Sequence, residues 1–194
     1  MEISQNAALL VVDVQKGFDE AGFWGPRNNP GADDHIAALI DVWQGSGRPV
    51  VFVRHDSSKP ESPLRTGHEG NGFKDYVEER RGRGTGPELF VTKTVNSAFY
   101  GSPDLDAWLK AEGIAQVVVA GIQTNMCVET TARMGGNLGY DVLVAYDATY
   151  TFDLVGPFGW RLGAEEVARA SAVSLHGGGF ARVVTTGEVV AAAG

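Results

Sequence analysis

The chain has 194 residues, of which 43% are hydrophobic and 21% are charged, and its formal net charge at pH 7 is -8. This balance is typical of a globular protein, and the length predicts one domain spanning residues 1–194. An acidic surface repels phosphate backbones, which argues against nucleic acid as a partner. No apolar run reaches the roughly 18 residues of a membrane span, so we expect no membrane partner either.

The cysteine content indicates a reducing compartment. Cys127 is the only cysteine, so the chain forms no internal disulfide and needs no oxidising environment. Residues 1–6 are acidic rather than basic ahead of the first apolar run, which is unlike a signal peptide. We therefore predict a cytoplasmic protein.

Apolar runs alternate with helical patterns along most of the chain. Helical spacing of apolar residues predicts a helix after Asp33 and Asp34, which we expect to cap it, a second from Pro103 and a third over residues 165–175. Continuous apolar strands between such helices are typical of a parallel sheet covered on both faces. We predict a doubly wound α/β fold with a six-stranded parallel sheet and helices on both faces. The predicted strands are residues 8–14, 49–55, 88–93, 116–121, 141–148 and 181–186.

Two segments lack this periodicity. Residues 56–87 are rich in glycine, proline, serine and charge, and a loop of this length in a compact domain is usually functional or mobile. We expect it to cover the site. We predict that residues 191–194 form a frayed end.

Three polar residues stand where predicted strands end. In an open parallel sheet, ligands bind beyond the carboxyl ends of the strands. Asp13 and Lys93 end the first and third strands, and Cys127 follows the fourth at the start of a helix. There the helix dipole and a neighbouring ammonium favour a thiolate. Each residue alone fits an ordinary structural role, but a base, a cation and a nucleophile together predict covalent catalysis.

A family resemblance strengthens this interpretation. Three segments resemble the motif blocks of the isochorismatase-like cysteine hydrolases: ALLVVDVQKGF at 8–18, KTVNSAF at 93–99 and AGIQTNMCV at 120–128. This superfamily includes nicotinamidases, N-carbamoylsarcosine amidases and ureidoacrylate amidohydrolases. The blocks occur in the family's order, and the similarity covers nearly the whole chain.

The resemblance implies a triad and a mechanism. Cys127 would attack an amide or ureido carbonyl to form a thioester, Asp13 would transfer the proton, and Lys93 would hold both. It also implies a cis peptide bond between Ile122 and Gln123, with the backbone amides of Gln123 and Cys127 facing the oxyanion. Family members form oligomers, so we expect a homodimer or homotetramer.

Candidate substrate-binding residues come from the same motif blocks. Phe18, Phe23, Phe99 and Tyr100 are predicted to line an apolar slot, although aromatic side chains are also common in cores. Thr124, in the turn before the cysteine, is a further candidate.

Two departures from relatives narrow the chemistry. Metal-binding nicotinamidases follow the second strand with an Asp-x-His pair and a later histidine, whereas this chain reads RHDS at 54–57, with His68 beyond. We predict no metal and no other cofactor. True isochorismatases, which cleave a vinyl ether, lack the cysteine, so Cys127 favours carbon-nitrogen hydrolysis of a small amide or ureido compound. Vinyl-ether hydrolysis and a catalytically silent binding protein remain the alternatives.

Overall fold

A computed structural model describes all residues, 1–194, and consists of strands joined by helices. The strands are β1 (Ala8–Val12), β2 (Val50–His55), β3 (Glu88–Lys93), β4 (Gln116–Ile122), β5 (Asp141–Tyr150), β6 (Leu154–Val155), β7 (Arg161–Leu162) and β8 (Arg182–Val184). The helices are α1 (Ala21–Trp24), α2 (Ala32–Gly45), α3 (Asp75–Glu78), α4 (Leu105–Ala111), α5 (Glu129–Asn137), α6 (Ala164–Gly177) and α7 (Thr186–Ala193).

Six of the strands form one parallel sheet in the order β3-β2-β1-β4-β5-β8. Strands β6 and β7 form a separate antiparallel hairpin. Alternate residues of β1 enter two different cores: Leu9 and Val11 pack with α2, while Leu10 and Val12 pack in the layer that contains α4 and α5. Burial on both faces explains the uninterrupted apolar strands. The predicted doubly wound α/β fold is confirmed.

The strand order reverses direction at β1. This strand pairs with β2 on one side and with β4 on the other, so the connections leave in opposite directions and a crevice opens beyond the carboxyl ends of β1 and β4. Residues directly after these two strands are therefore placed at the ligand-binding edge.

The C-terminal segment is helical, so the prediction of a frayed end was wrong. Thr185 caps α7 by accepting a hydrogen bond from the Glu188 backbone, and the Glu188 carboxylate accepts from the Thr185 backbone in return. Val189 is fully buried, and the Arg48 guanidinium donates to the Ala193 carbonyl at 2.8 Å. The capping box and these contacts offset the entropy of ordering the end.

Asp33 does not cap α2, contrary to the sequence prediction. Gly31 is the N-cap residue and no side chain caps it. The Asp33 carboxylate instead accepts hydrogen bonds from Arg27, Lys74 and Tyr76, at 2.8, 3.2 and 3.0 Å. A carboxylate with three strong donors is better satisfied there than by one backbone amide.

The long loop 56–87 is anchored to the strand ends by side-chain hydrogen bonds. The Asn71 amide donates to the carbonyls of His55 and Leu64, at 3.1 and 2.8 Å, and Gln15 donates to the Asn71 carbonyl at 2.9 Å. The segment also contains α3 and a short 3-10 turn, Glu69–Asn71. Its first part consequently lies beside the crevice.

None of the helices combines the length and apolarity of a membrane span.

Candidate active site

Residues that can act as a base, a cation or a nucleophile lie at the carboxyl ends of four neighbouring strands. Across the sheet from β3 through β2 and β1 to β4, the groups met in turn are Lys93, His55, Asp13 and Cys127. His55 and Lys93 are register partners in adjacent strands. The parallel order of the sheet thus brings together residues that are far apart in the sequence.

Asp13 and Lys93 form a fully buried ion pair. The Lys93 ammonium donates to Asp13 Oδ2 at 2.5 Å, and neither side chain is exposed to solvent. Burial acts to lower the pKa of Lys93, but the charges and hydrogen bonds of Asp13 and Cys127 together outweigh it, so the pKa is raised. Asp13 has a φ of 52°, in the left-handed region that aspartate tolerates better than most residues. Its second oxygen, Oδ1, is buried and accepts no hydrogen bond from an oxygen or nitrogen donor.

Cys127 lies in one turn of π-helix, Thr124–Val128, that leads into α5. The side chain is 7% exposed, and its Sγ lies 3.8 Å from Asn96 Oδ1. Burial, followed by the negative charge of Asp13, raises the pKa of the Cys127 thiol despite the opposing effect of Lys93. This differs from the expectation of a thiolate, because the Lys93 ammonium does not compensate for the lost water and the Asp13 charge. At rest the group is a thiol beside a carboxylate oxygen that is free to accept its proton.

The peptide bond between Ile122 and Gln123 is cis. The Gln123 carbonyl accepts hydrogen bonds from the backbone of Met126 and Val128, at 3.1 and 3.2 Å, which tie it to the turn that carries Cys127. The Gln123 N–H, by contrast, has no acceptor within the chain. A fixed donor of this kind is suited to a developing negative charge on a substrate.

A cavity of about 340 Å³ opens onto Asp13, Gln123 and Cys127. The predicted residues Phe18 and Phe23 lie in its wall, where the Phe18 and Trp24 rings are 5.0 Å apart between centroids. Besides Cys127, the apolar lining residues are Phe18, Phe23, Trp24, Leu64 and Met126, and the polar ones are Asp13, His55, Ser57, Ser58, Lys59, Ser62, Thr94, Asn96 and Gln123. The loop 56–87 supplies one side of this wall.

Three of the predicted substrate-binding residues lie outside this lining, which corrects that part of the prediction. Phe99 is buried against Tyr140, with ring centroids 5.8 Å apart, and Tyr100 is 71% exposed on the outer surface. The Thr124 hydroxyl is buried and donates to Thr149 Oγ1 at 2.9 Å. Sequence reasoning missed Asn96, although it lies inside the 93–99 motif block, and Trp24.

His55 is a second contact of the Lys93 ammonium, beside Asp13. Its Nδ1 lies 3.4 Å from Lys93 Nζ, and because an ammonium can only donate, Nδ1 is the acceptor and the ring is neutral. Burial, then the charge of Lys93, lowers the pKa of His55 accordingly. The His55 backbone is itself fixed by Gln15, whose amide accepts from its N–H at 2.9 Å and donates to its carbonyl at 3.0 Å.

This contact leads to a prediction about positioning. Asparagine at position 55 can place an oxygen near Nδ1, whereas the longer glutamine cannot, so His55→Asn should retain more activity than His55→Gln. Loss of one hydrogen bond to a charged group predicts a decrease of about tenfold to a hundredfold in kcat for His55→Gln. Steady-state kinetics on both variants, with folding checked by circular dichroism, provide the measurement. Equal losses in the two variants would contradict the role.

The same groups are a poor metal site. Asp13, His55 and Cys127 present ligand atoms within 4.8 Å of one another. However, the Lys93 ammonium contacts both Asp13 Oδ2 and His55 Nδ1, so a divalent cation would have to displace a buried positive charge. The raised pKa of Cys127 also opposes metal binding, because the thiolate is the ligand form.

We therefore keep the prediction of metal-independent activity. Dialysis against EDTA is expected to leave turnover unchanged, because none of the groups described requires a cation to hold its charge. The measurement is the rate of amide hydrolysis before and after chelation. Loss of activity that zinc or iron restores would contradict it and would direct attention to His55, Asp56 and His68.

Comparison with known proteins agrees with this architecture. A family model described as the isochorismatase domain matches residues 7–174. The chain belongs to the isochorismatase family. Family members are hydrolases, and amidases are among them.

Individual relatives extend the match to nearly the full length. The uncharacterized isochorismatase family protein YrdC of Bacillus subtilis is 36% identical over 97% of the chain and 96% of the relative. Nicotinamidase 3 of Arabidopsis thaliana is 34% identical, covering 77% of the chain and 76% of the relative. A crystal structure of a putative hydrolase of the isochorismatase family from Chromobacterium violaceum has a TM-score of 0.90 and 39% identity, covering 100% of the chain and 96% of the other.

Proposed function

We propose that this isochorismatase-family protein hydrolyses a carbon-nitrogen bond of a small amide or ureido compound, with Cys127 as nucleophile. The observation that carries the proposal is a buried thiol whose Sγ lies within 4.8 Å of an Asp13 carboxylate oxygen, in the lining of a cavity sized for a small molecule. The similarity to a nicotinamidase, whose name denotes an amide hydrolase, supports the same chemistry.

In the first half-reaction, Asp13 accepts the Cys127 proton as Sγ attacks the carbonyl carbon of the substrate. The carbonyl oxygen becomes an anion, and the Gln123 N–H stabilises it, an interaction worth about 3 kcal/mol per donor in related chemistry. The carbon-nitrogen bond then breaks, and the leaving nitrogen takes the proton from Asp13. The acyl group remains on Cys127 as a thioester.

In the second half-reaction, a water molecule attacks the thioester. Asp13 accepts a proton from the water, the carbon-sulfur bond breaks, and Asp13 returns the proton to the departing sulfur. Lys93 stays protonated throughout, as its raised pKa implies, and its ammonium holds the Asp13 carboxylate in place between the two steps. His55 holds the ammonium through Nδ1.

The test is release of ammonia from a panel of primary amides and ureido acids, with pyruvate release from isochorismate measured in parallel. Nicotinamide and N-carbamoyl amino acids should both be in the panel. Ammonia from at least one compound, absent with Cys127→Ala, is the expected result. Pyruvate release that survives Cys127→Ala would favour vinyl-ether hydrolysis, and no release from any compound would favour a silent binding protein.

A further inference from the structure

The cavity lining combines apolar and polar surface. Phe18, Trp24 and Met126 offer apolar atoms. A single segment, 57–62, contributes the polar residues Ser57, Ser58, Lys59 and Ser62. A ligand that fills the cavity would therefore contact both kinds of surface.

The polar residues of segment 57–62 include hydroxyl donors that the protein does not use. Ser62 is 5% exposed, and its Oγ accepts from the Leu64 backbone at 3.1 Å but donates to no group. Ser57 Oγ likewise accepts, from the Lys59 backbone at 3.3 Å, and leaves its own proton free. A buried hydroxyl with an unused proton favours an acceptor in the ligand.

The charges around the cavity also favour a ligand with a negatively charged acceptor. Asp13 is the only carboxylate in the lining, and its charge is balanced by Lys93. His55 is neutral because its Nδ1 accepts from Lys93. Lys59 forms no ion pair or side-chain hydrogen bond and thus adds one uncompensated positive charge to the rim. This is notable in a chain with a net charge of -8, since the rest of the surface repels anions.

We propose that Ser57, Lys59 and Ser62 form a carboxylate-binding subsite, so that the substrate is a small amide or ureido acid rather than a neutral amide. This inference rests on the proposed hydrolytic function. The reactive carbonyl lies at Cys127, the body of the substrate lies against Phe18 and Trp24, and the carboxylate accepts from the two hydroxyls and the ammonium. A neutral amide of the same shape would leave these donors without an acceptor.

A matched pair of compounds tests the subsite. Succinamate carries a primary amide and a carboxylate, and levulinamide replaces that carboxylate with an uncharged acetyl group of nearly the same shape. The expected kcat/KM is at least about tenfold higher for succinamate, as for a charge-assisted hydrogen bond. Raising the salt concentration should reduce this ratio, because Lys59 is exposed and its charge is screened.

Substitutions in segment 57–62 test whether it causes the preference for succinamate. Lys59→Met should lower the succinamate-to-levulinamide ratio about tenfold, Lys59→Arg should keep most of it, and Ser62→Ala should lower it severalfold. Lys110→Met is the matched control, because Lys110 is an exposed lysine on α4 paired with Asp106, and it is absent from the cavity lining. It should leave the ratio unchanged.

A binding measurement tests the subsite independently of the proposed hydrolysis. Cys127→Ala, which cannot turn over, is titrated calorimetrically with both compounds, and succinamate should bind about tenfold more tightly unless Lys59→Met is added. If neither compound is hydrolysed but succinamate still binds more tightly, the result contradicts the hydrolytic proposal and supports the subsite. Equal or tighter binding of levulinamide, or a preference that survives Lys59→Met, would overturn the subsite.

Discussion

Cys127→Ala is expected to abolish hydrolysis of the amide substrate while leaving the protein folded. Without Sγ no thioester can form, and loss of the nucleophile in a covalent hydrolase lowers kcat by about 10⁴-fold or more. Cys127 is buried in the core layer that contains α4 and α5, but the change removes a single sulfur atom, so the unfolding free energy should fall by about 1 kcal/mol. Ammonia release and urea unfolding followed by circular dichroism measure the two effects separately.

The single thiol allows an independent check by alkylation. Iodoacetamide should modify one site per chain, since Cys127 is the only cysteine, and substrate should protect it. Because the thiol pKa is raised, the reactive thiolate is scarcer at pH 7 than for an exposed cysteine. The alkylation rate should therefore keep rising with pH beyond the range of an ordinary thiol. A Cys127→Ala protein that hydrolyses its amide at near wild-type rate would exclude the nucleophile role.

The fold could be predicted from the sequence because its signals are local. The central strands β1 and β4 are nearly continuous apolar runs that are buried at every position. Helical spacing identified α2 and α6 within a few residues of their ends. The approximate meeting place of Asp13, Lys93 and Cys127 followed as well, since parallel strands end at one edge of a sheet.

The lining of the cavity could not be predicted in the same way, because it depends on side-chain direction in irregular segments. Phe99 and Tyr100 share one short 3-10 turn, yet the first points into the core and the second into solvent. Trp24 enters the wall because its indole N–H donates to the Gly17 carbonyl at 2.8 Å, a contact without a sequence signature. Burial, which raises the Cys127 pKa, is likewise invisible in residue spacing.

The buried Asp13–Lys93 pair should reveal itself as a coupling between two variants. Asp13→Asn leaves the Lys93 ammonium buried without its counter-ion, and Lys93→Met leaves the Asp13 carboxylate in the same position. Breaking a buried ion pair from one side typically costs about 3 to 5 kcal/mol of unfolding free energy. The double variant Asp13→Asn/Lys93→Met removes both charges, so it should be more stable than either single variant.

Activity should not follow stability in this series. Asparagine cannot accept the Cys127 proton, so Asp13→Asn and the double variant should both lack turnover even though the double variant recovers the fold. Urea unfolding of the wild type, both single variants and the double variant gives the coupling energy, and ammonia release gives the activity. Additive destabilisation would show that the two charges do not stabilise each other. Recovery of turnover in the double variant would instead assign Asp13 a purely structural role, because a base that can be replaced along with its counter-ion carries no proton in the reaction.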